Sequence, residues 1–496
     1  MPQSIVEPRR IVLALLATLL APTGAMSQAL PFQAPGDSRL RHMVELDADD
    51  DRTPLTTTWP LPSADLRSDE RDTMRGYNQP GSATDAGWFL SGAAKPTRLR
   101  TFSDTPREKG EAGLQAGWAA GDYAGGAIRL SYAFSPQDGM HYRLDGTYVA
   151  WRVGNWWLTA GVQDRWWGPG WDGSLILSNN ARPMPGLGLE RNSSVPFQSK
   201  LLRWLGPWRL VTFVDHMENH RADFNNTLFW GARFSFKPAN SLEFGLSRTA
   251  EFCGKGRPCG LGTVWDMLTA RSNRKYNANS TPGQNLVKQS AQVWAGDVRW
   301  HPGDLPVALY WQELGEVFDD RNLRPRQLLQ LFGVEFASRY VASGRLRAFL
   351  EFADTACGAI GLSPGDKPNF GCAYEKDTWR AGYRFRGRVI GDSMDRDGRR
   401  LTLGAIYAYA PARSWELRLR RFDLNRGNIA QAGLVPQTVT TVAERIWNAE
   451  LKVDGPIGDF RYSIGVGADH GGPLGTPAKW DGRAFLTVSR DWAQAP

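Results

Sequence analysis

Residues 227–249 read TLFWGARFSF, then KPAN, then SLEFGLSRT. Two alternating, aromatic-rich runs flank a Pro and an Asn, so the stretch reads as a β-hairpin. The same unit recurs upstream in HYRLDGTYVAWRV-GN-WWLTAGVQDR from His141, and downstream in VWAGDVRW-HPGDLP-VALYWQE from Val293 and LFGVEFASRYVASGRLRAFLEF from Leu331. Further strands are predicted at TWRAGYRFRG (378–387), LTLGAIYAYA, SWELRLRRF, IWNAELKVD, FRYSIGVGAD and RAFLTVSRDW. The count comes to about 18 strands, spread over roughly 400 residues.

That spacing suits tilted spans of about 9 to 11 residues joined alternately by tight turns and long loops. Closure removes the edges that so long an open sheet would leave, so the fold class is an all-β transmembrane barrel of antiparallel strands covering residues 96–496. Short connections at 236–242, 301–306 and 339–344 alternate with long ones at 250–291, 313–331 and 353–377. The alternation slips across 166–205 and again near 388–399, where a strand is missed or misplaced. The mean hydropathy of −0.41 is compatible with a barrel, whose inward residues are polar.

Ahead of the strands, Arg9 and Arg10 precede the apolar run IVLALLATLLA and the small-residue site Ser27-Gln28-Ala29, the layout of a signal peptide over residues 1–29. Residues 30–95 read differently from the rest. Leu40, Met43, Val44 and Leu46 share one side at helical spacing, and Ser63 or Asp65 can cap a second helix, which together make a small helical region expected in the periplasm.

The 496-residue chain carries a formal charge of +8, and its first 29 residues hold Glu7, Arg9 and Arg10, so +7 remains after them. Of the basic residues 48 are Arg and 11 Lys, and the forked guanidinium suits carboxylate-bearing partners. No nucleic-acid partner is expected. Cys253 with Cys259 and Cys357 with Cys372 read as two local disulfides in an exported chain, both in long loops. No His stands close enough to them for a zinc site.

Other chemical motifs reduce to loops. DHMENHR at 215–221 sets two His four apart, but its Glu is one place late and the local period is that of a strand. GDSMD at 391–395 and GLSPG at 361–365 lack the strand-to-helix setting of a nucleophile elbow. Glu313 and Glu316 have no visible sugar cleft, and DADDD at 47–51 has Arg52 where a calcium loop needs Gly. No catalytic residue, metal or cofactor is assigned.

The remaining signal is RWWGPGWDGSLILSNNARP at 165–183. Trp151, Trp156 and Trp157 flank a tight turn and suit an aromatic girdle. Trp166, Trp167 and Trp171 differ, because Gly and Pro end the strand there and amides and Arg182 follow. Indole faces beside Asn and Arg donors suit pyranose rings with acidic substituents, and equally an internal packing motif.

The blocks DRWWGPGWDGSLILSNNARPMPGLGLER (164–191) and PFQSKLLRWLGPWRLVTFVDHMENHR (196–221) resemble the Wzi family of outer-membrane capsule-assembly proteins. The likeness extends to TTWPL (57–61), FKPANSLEFGLSR (236–248) and GDSMDRDGRRLTLG (391–404). It implies an 18-stranded barrel in the outer membrane of a Gram-negative bacterium, with a small periplasmic helical bundle and a lectin-like, non-catalytic role. The expected partners are an acidic capsular or exopolysaccharide, outer-membrane lipid and polysaccharide export machinery. Chemistry alone nominates Arg165, Trp166, Trp167, Trp171, Asn179, Asn180, Arg182 and Arg191 as the polysaccharide site. The rival reading is a diffusion porin.

Overall fold

The computed structural model describes residues 30–50, 54–66, 86–270, 290–303, 305–319, 324–358, 367–375, 379–410, 412–428 and 437–492. The signal peptide expected at 1–29 lies outside them, as does 67–85, where most of the second helix is expected.

Eighteen antiparallel strands close into one barrel, taking the interrupted pair Tyr142–Arg143 and Tyr148–Val153 as one strand against Ala124–Phe134. Closure joins Lys479–Trp492 to Ala86–Ala93, with Trp492 opposite Ala86. The barrel therefore begins at Ala86 rather than at 96, and the first strand comes out of what read as the helical region. Its sequence AGWFLSGA is rich in small residues and gives little alternation to read.

Two other expectations are corrected. TWRAGYRFRG is no barrel strand. Its residues lie in the 355–398 connection, and only Arg384–Phe385 pairs with Arg388–Val389 in a miniature hairpin. The missed strand is Pro185–Arg191, whose PGLGLER alternates glycine with larger residues and so lacks the polar and aromatic half of a readable alternation. Residues 313–331 are not a long loop either, because strands Val307–Asp319 and Arg324–Val341 run through most of them.

One barrel end carries tight turns at 121–123, 154–155, 240–241, 342–343 and 458–459, with a longer connection at 192–207. The opposite end carries the long connections 94–109, 163–184, 254–289, 355–398 and 425–443. Both disulfides, Cys253 to Cys259 and Cys357 to Cys372, sit at this loop end, with Cα separations of 4.8 and 6.2 Å.

The opening hairpin shows why the wall forms. On Thr227–Ala239, Phe229, Gly231, Arg233, Ser235 and Lys237 are buried inward, while Leu228, Trp230, Phe234 and Phe236 alternate outward. Across the barrel Leu187, Leu246, Leu403 and Val466 are likewise exposed on the outer face. An apolar exterior over a polar interior is the pattern of a bilayer-embedded barrel. Trp151 joins that exterior, but Trp157 points inward, where its Nε1 donates to Asn192 at 2.7 Å beside Phe32. The girdle reading of Trp157 is therefore corrected.

Inside the wall, inward aromatics lie flat over glycines of the neighbouring strand. A Cβ on Gly404 would meet the Phe349 ring at 2.1 Å, and one on Gly333 would meet Tyr310 at 2.0 Å. The Cβ-free strand positions thus let bulky rings occupy the lumen side.

Candidate functional site

The lumen is packed in two tiers. The tier toward the tight turns is the N-terminal segment, 30–66. Its helix Ser38–Asp50 starts where Asp37 accepts a hydrogen bond from the Leu40 N–H at 2.9 Å. Leu40 and Val44, one helical turn apart, pack with Trp59, Leu61, Phe102 and Trp166. This is the face the sequence nominated, although it docks within the barrel.

Inward charges of the strands hold the segment. Backbone and hydroxyl groups of Thr56 and Thr57 donate four bonds to Glu243, at 2.7 to 3.2 Å. Arg209 donates to the carbonyls of Thr58 and Pro60 and pairs with Glu190 at 2.9 Å. Arg233 reaches Thr57 and Thr58 and pairs with Asp297 at 2.6 Å. Arg209 and Arg233 are thus each paired with a carboxylate, and Glu243 is satisfied by four hydrogen bonds, as burial away from water demands.

The second tier, toward the loop end, is built by 163–184 folded against 367–398. The Tyr374 and Tyr383 hydroxyls donate to the Leu175 and Ile176 carbonyls, each at 2.8 Å. Ser178 donates its N–H to the Ile390 carbonyl and its hydroxyl to that of Gly391. Leu175, Ile176, Leu177, Leu329, Ile390 and Met394 belong to one apolar core with inward strand residues. GDSMD lines this interior: Ser393 is buried, Asp392 pairs with Arg400 and Asp395 with Arg384.

The nominated residues separate in space. Trp166, Trp167 and Trp171 are each 0% exposed, so no indole face is open to a sugar ring. Trp166 packs edge-on to Phe102, and Trp167 tilts onto Phe213. Trp171 lies between Arg41, 4.1 Å from its ring, and Phe349, while its Nε1 donates to Glu335 at 2.8 Å. Of the two readings of this stretch, the burial favours internal packing, and the expectation that these rings stack on sugar is corrected. Arg165 is buried against Asp215 and Phe213. Arg191 sits at the tight-turn end on Trp208, far along its strand from the others.

Next to Trp171, Asp172 anchors the second tier to the wall. Arg420, Arg400 and Arg418 lie 2.9, 3.0 and 3.3 Å from it. Burial would raise its pKa, but those three guanidiniums outweigh burial and hold it well below the carboxylate range.

Asn179, Asn180 and Arg182 do converge on open space. Asn180 and Arg182 line a polar cavity of about 190 Å³ at the loop end, together with Arg107, Asp138, Arg386 and Arg388. A smaller cavity of about 80 Å³ shares Arg107 and reaches Asn179, Asp104, Asp164 and Arg129. The Asn180 side-chain amide donates to the Val389 carbonyl, and the Asn180 backbone carbonyl accepts from Arg107 at 3.0 Å. Arg182 grips Asp145 through both oxygens at 2.7 and 2.8 Å, and Asp138 at 2.7 Å. Burial would raise Asp138, but Arg182 and the Met140 N–H outweigh it and keep it ionised below its ordinary range.

Sequence reading missed Arg386 and Arg388. Their signal, RFRGR at 384–388, was absorbed into a supposed strand. The inward charges were also legible, since Glu416, Arg418 and Arg420 in SWELRLRRF recur at a period of two.

Fold and lumen together define a closed, internally plugged β-barrel of outer-membrane type whose accessible polar cavity opens among its loops. Residues 90–467 match the family description "Capsule assembly protein Wzi", and the chain belongs to that family. It is similar to the solved structure of Escherichia coli Wzi, described as an outer-membrane, carbohydrate-binding β-barrel involved in group 1 capsule assembly. That similarity has a TM-score of 0.76 and 21% identity over 93% of this chain and 99% of that one. It is also 30% identical over 304 residues to an uncharacterized 55.8 kDa protein in the cps region of Klebsiella pneumoniae. The match spans 56% of this chain and 56% of that relative's length.

Proposed function

We propose that this protein is a non-catalytic outer-membrane barrel that binds an acidic surface polysaccharide at its loop end and helps keep it attached to the cell. One observation carries the reading: both tiers of the lumen are packed with paired charges and apolar side chains, and polar space opens at the loops around Asn180, Arg182, Arg386 and Arg388. A solute pore needs the opposite arrangement, a wet passage through the barrel. Family membership supports the polysaccharide as ligand. The apolar exterior meets outer-membrane lipid, the loop end faces outward, and the tight-turn end with its N-terminal plug faces the periplasm, within reach of export machinery.

The test is a deletion strain in which polysaccharide retained on cells is weighed against polysaccharide shed into the medium. The expected result is unchanged total with more shed. Unchanged retention would remove this reading. Planar-bilayer recording of the purified barrel should then show silence, whereas a steady small-ion conductance would make the porin the better account.

A further inference from the structure

The loop-end cavity carries a charge imbalance. Its lining includes five arginines, among them Arg107, Arg182, Arg386 and Arg388, against two carboxylates, Glu108 and Asp138. Both carboxylates are already engaged, Glu108 by Arg143 at 2.7 Å and Asp138 by Arg182 at 2.7 Å. Arg107 lies 3.7 Å from Asp164 and otherwise donates to a backbone carbonyl.

Arg386 and Arg388 are left over. Arg388 donates to the neutral Gln137 side chain at 2.6 Å, and no carboxylate lies within ion-pair distance of it among the described residues. Burial, and then the charge of Arg107, lower its hold on its proton. The Arg386 guanidinium stands over Phe385, 5.3 Å from the ring centre, and makes no ion pair among the described residues. Its backbone N–H donates to Glu218 at 3.2 Å, and Glu218 in turn faces Arg221 at 3.6 Å.

The miniature hairpin sets this geometry. Arg386 and Gly387 both have positive φ, 48° and 74°, as a two-residue turn of the tight hairpin type requires. Beyond Gly387 a Cβ would meet nothing within 4 Å, so the tip borders open space. Keeping half-buried cations at this tip without a counter-ion costs free energy, which an arriving anion would offset.

We infer that this cavity is a carboxylate subsite: Arg386 and Arg388, with Arg107 behind them, receive one acidic group of a sugar residue while its ring displaces the cavity water. The inference rests on the polysaccharide reading above and deepens it by assigning the acidic group of the glycan to these three guanidiniums. Guanidinium forks match a planar carboxylate, and the Thr97 and Thr438 side chains at the same wall can meet ring hydroxyls.

The probe is polysaccharide purified from the surface of the source cells, used as isolated and after carbodiimide–borohydride reduction of its carboxylates to alcohols. Binding to the full barrel in detergent micelles is measured for wild type, Arg386→Gln and Arg386→Gln/Arg388→Gln. Expected is about a tenfold or greater loss for the double variant on the native glycan, a similar loss for wild type on the reduced glycan, and no further loss when the two are combined. Wild-type affinity for the native glycan should fall with added salt, and affinity for the reduced glycan should not. Arg386→Gln alone, at a half-exposed tip, tests the subsite if the double variant misfolds, with a fractional loss expected. Equal affinity for native and reduced glycan, or native binding unchanged in the variants, overturns the subsite and leaves the polysaccharide reading standing. Wild type binding neither form overturns that reading itself.

Discussion

The two tiers of the plug are held by different balances of the same forces. The N-terminal tier is pinned by single strong contacts, in which Glu243, Arg209 and Arg233 each capture backbone or hydroxyl groups of residues 56–60. The loop tier is held by a larger shared apolar core, with Asp172 and the Asp392–Arg400 and Asp395–Arg384 pairs among its charged anchors. The difference is one of proportion, because Leu40, Val44, Trp59 and Leu61 of the first segment are buried in an apolar cluster too, as SLIL at 174–177 is in the second, and polar capture adds to that burial.

The sharpest break comes from Arg233→Ala. It strands Asp297 as an unpaired buried charge and removes one of the two holds on each of Thr57 and Thr58, so a loss of about 3–5 kcal/mol is expected from denaturant unfolding. Limited trypsinolysis should then cut at Arg39 or Arg41, residues now buried in the lumen. If the loop tier opened first instead, the two would not be independent. Leu175→Ala tests the other side, with about 2–4 kcal/mol expected from the cavity it leaves, and protease cutting confined to 163–184 and 367–398. Reducing or replacing Cys357 and Cys372 should cost the loop tier about 2–3 kcal/mol and leave the N-terminal tier protected.

The smallest effect concerns pH. Burial lifts Asp164 to about 6, against the pull of Arg107. A carboxyl raised above its unfolded value takes up protons in the folded state, so its contribution to stability declines as pH rises from about 4 through 6. Asp164→Asn should flatten that segment of the pH–stability curve and stabilise the protein at pH 7 by up to ~2 kcal/mol. A curve that keeps its slope in the variant would assign the titration elsewhere, Asp397 being the next loop carboxyl raised to about 6.

The barrel was legible because its signal is repeated in strand after strand: Leu228, Trp230, Phe234 and Phe236 alternate with Phe229, Arg233 and Ser235, and each hairpin restates the pattern. The plug was not, because nothing local distinguishes a polar loop lying over a barrel from one folded into it. Trp166, Trp167 and Trp171 beside Asn179, Asn180 and Arg182 satisfy the composition of a sugar platform and of a buried wedge alike. What separates them is the partner: Arg41, Phe349 and Glu335 come from segments about 130, 180 and 160 residues away. The amide and arginine half of the nominated stretch did reach the cavity. The indole half became the scaffold beneath it.

The seam between Ala86–Ala93 and Lys479–Trp492 carries a consequence for assembly order. Residues 30–66 precede the first strand of the cylinder, while the strand that shuts it comes after every other. A wall closed ahead of its contents would have to admit the helix and its buried arginines through the mouth of the barrel, stripping them of water as they enter. Wrapping the sheet around its filling before the last strand latches onto Ala86–Ala93 avoids that passage.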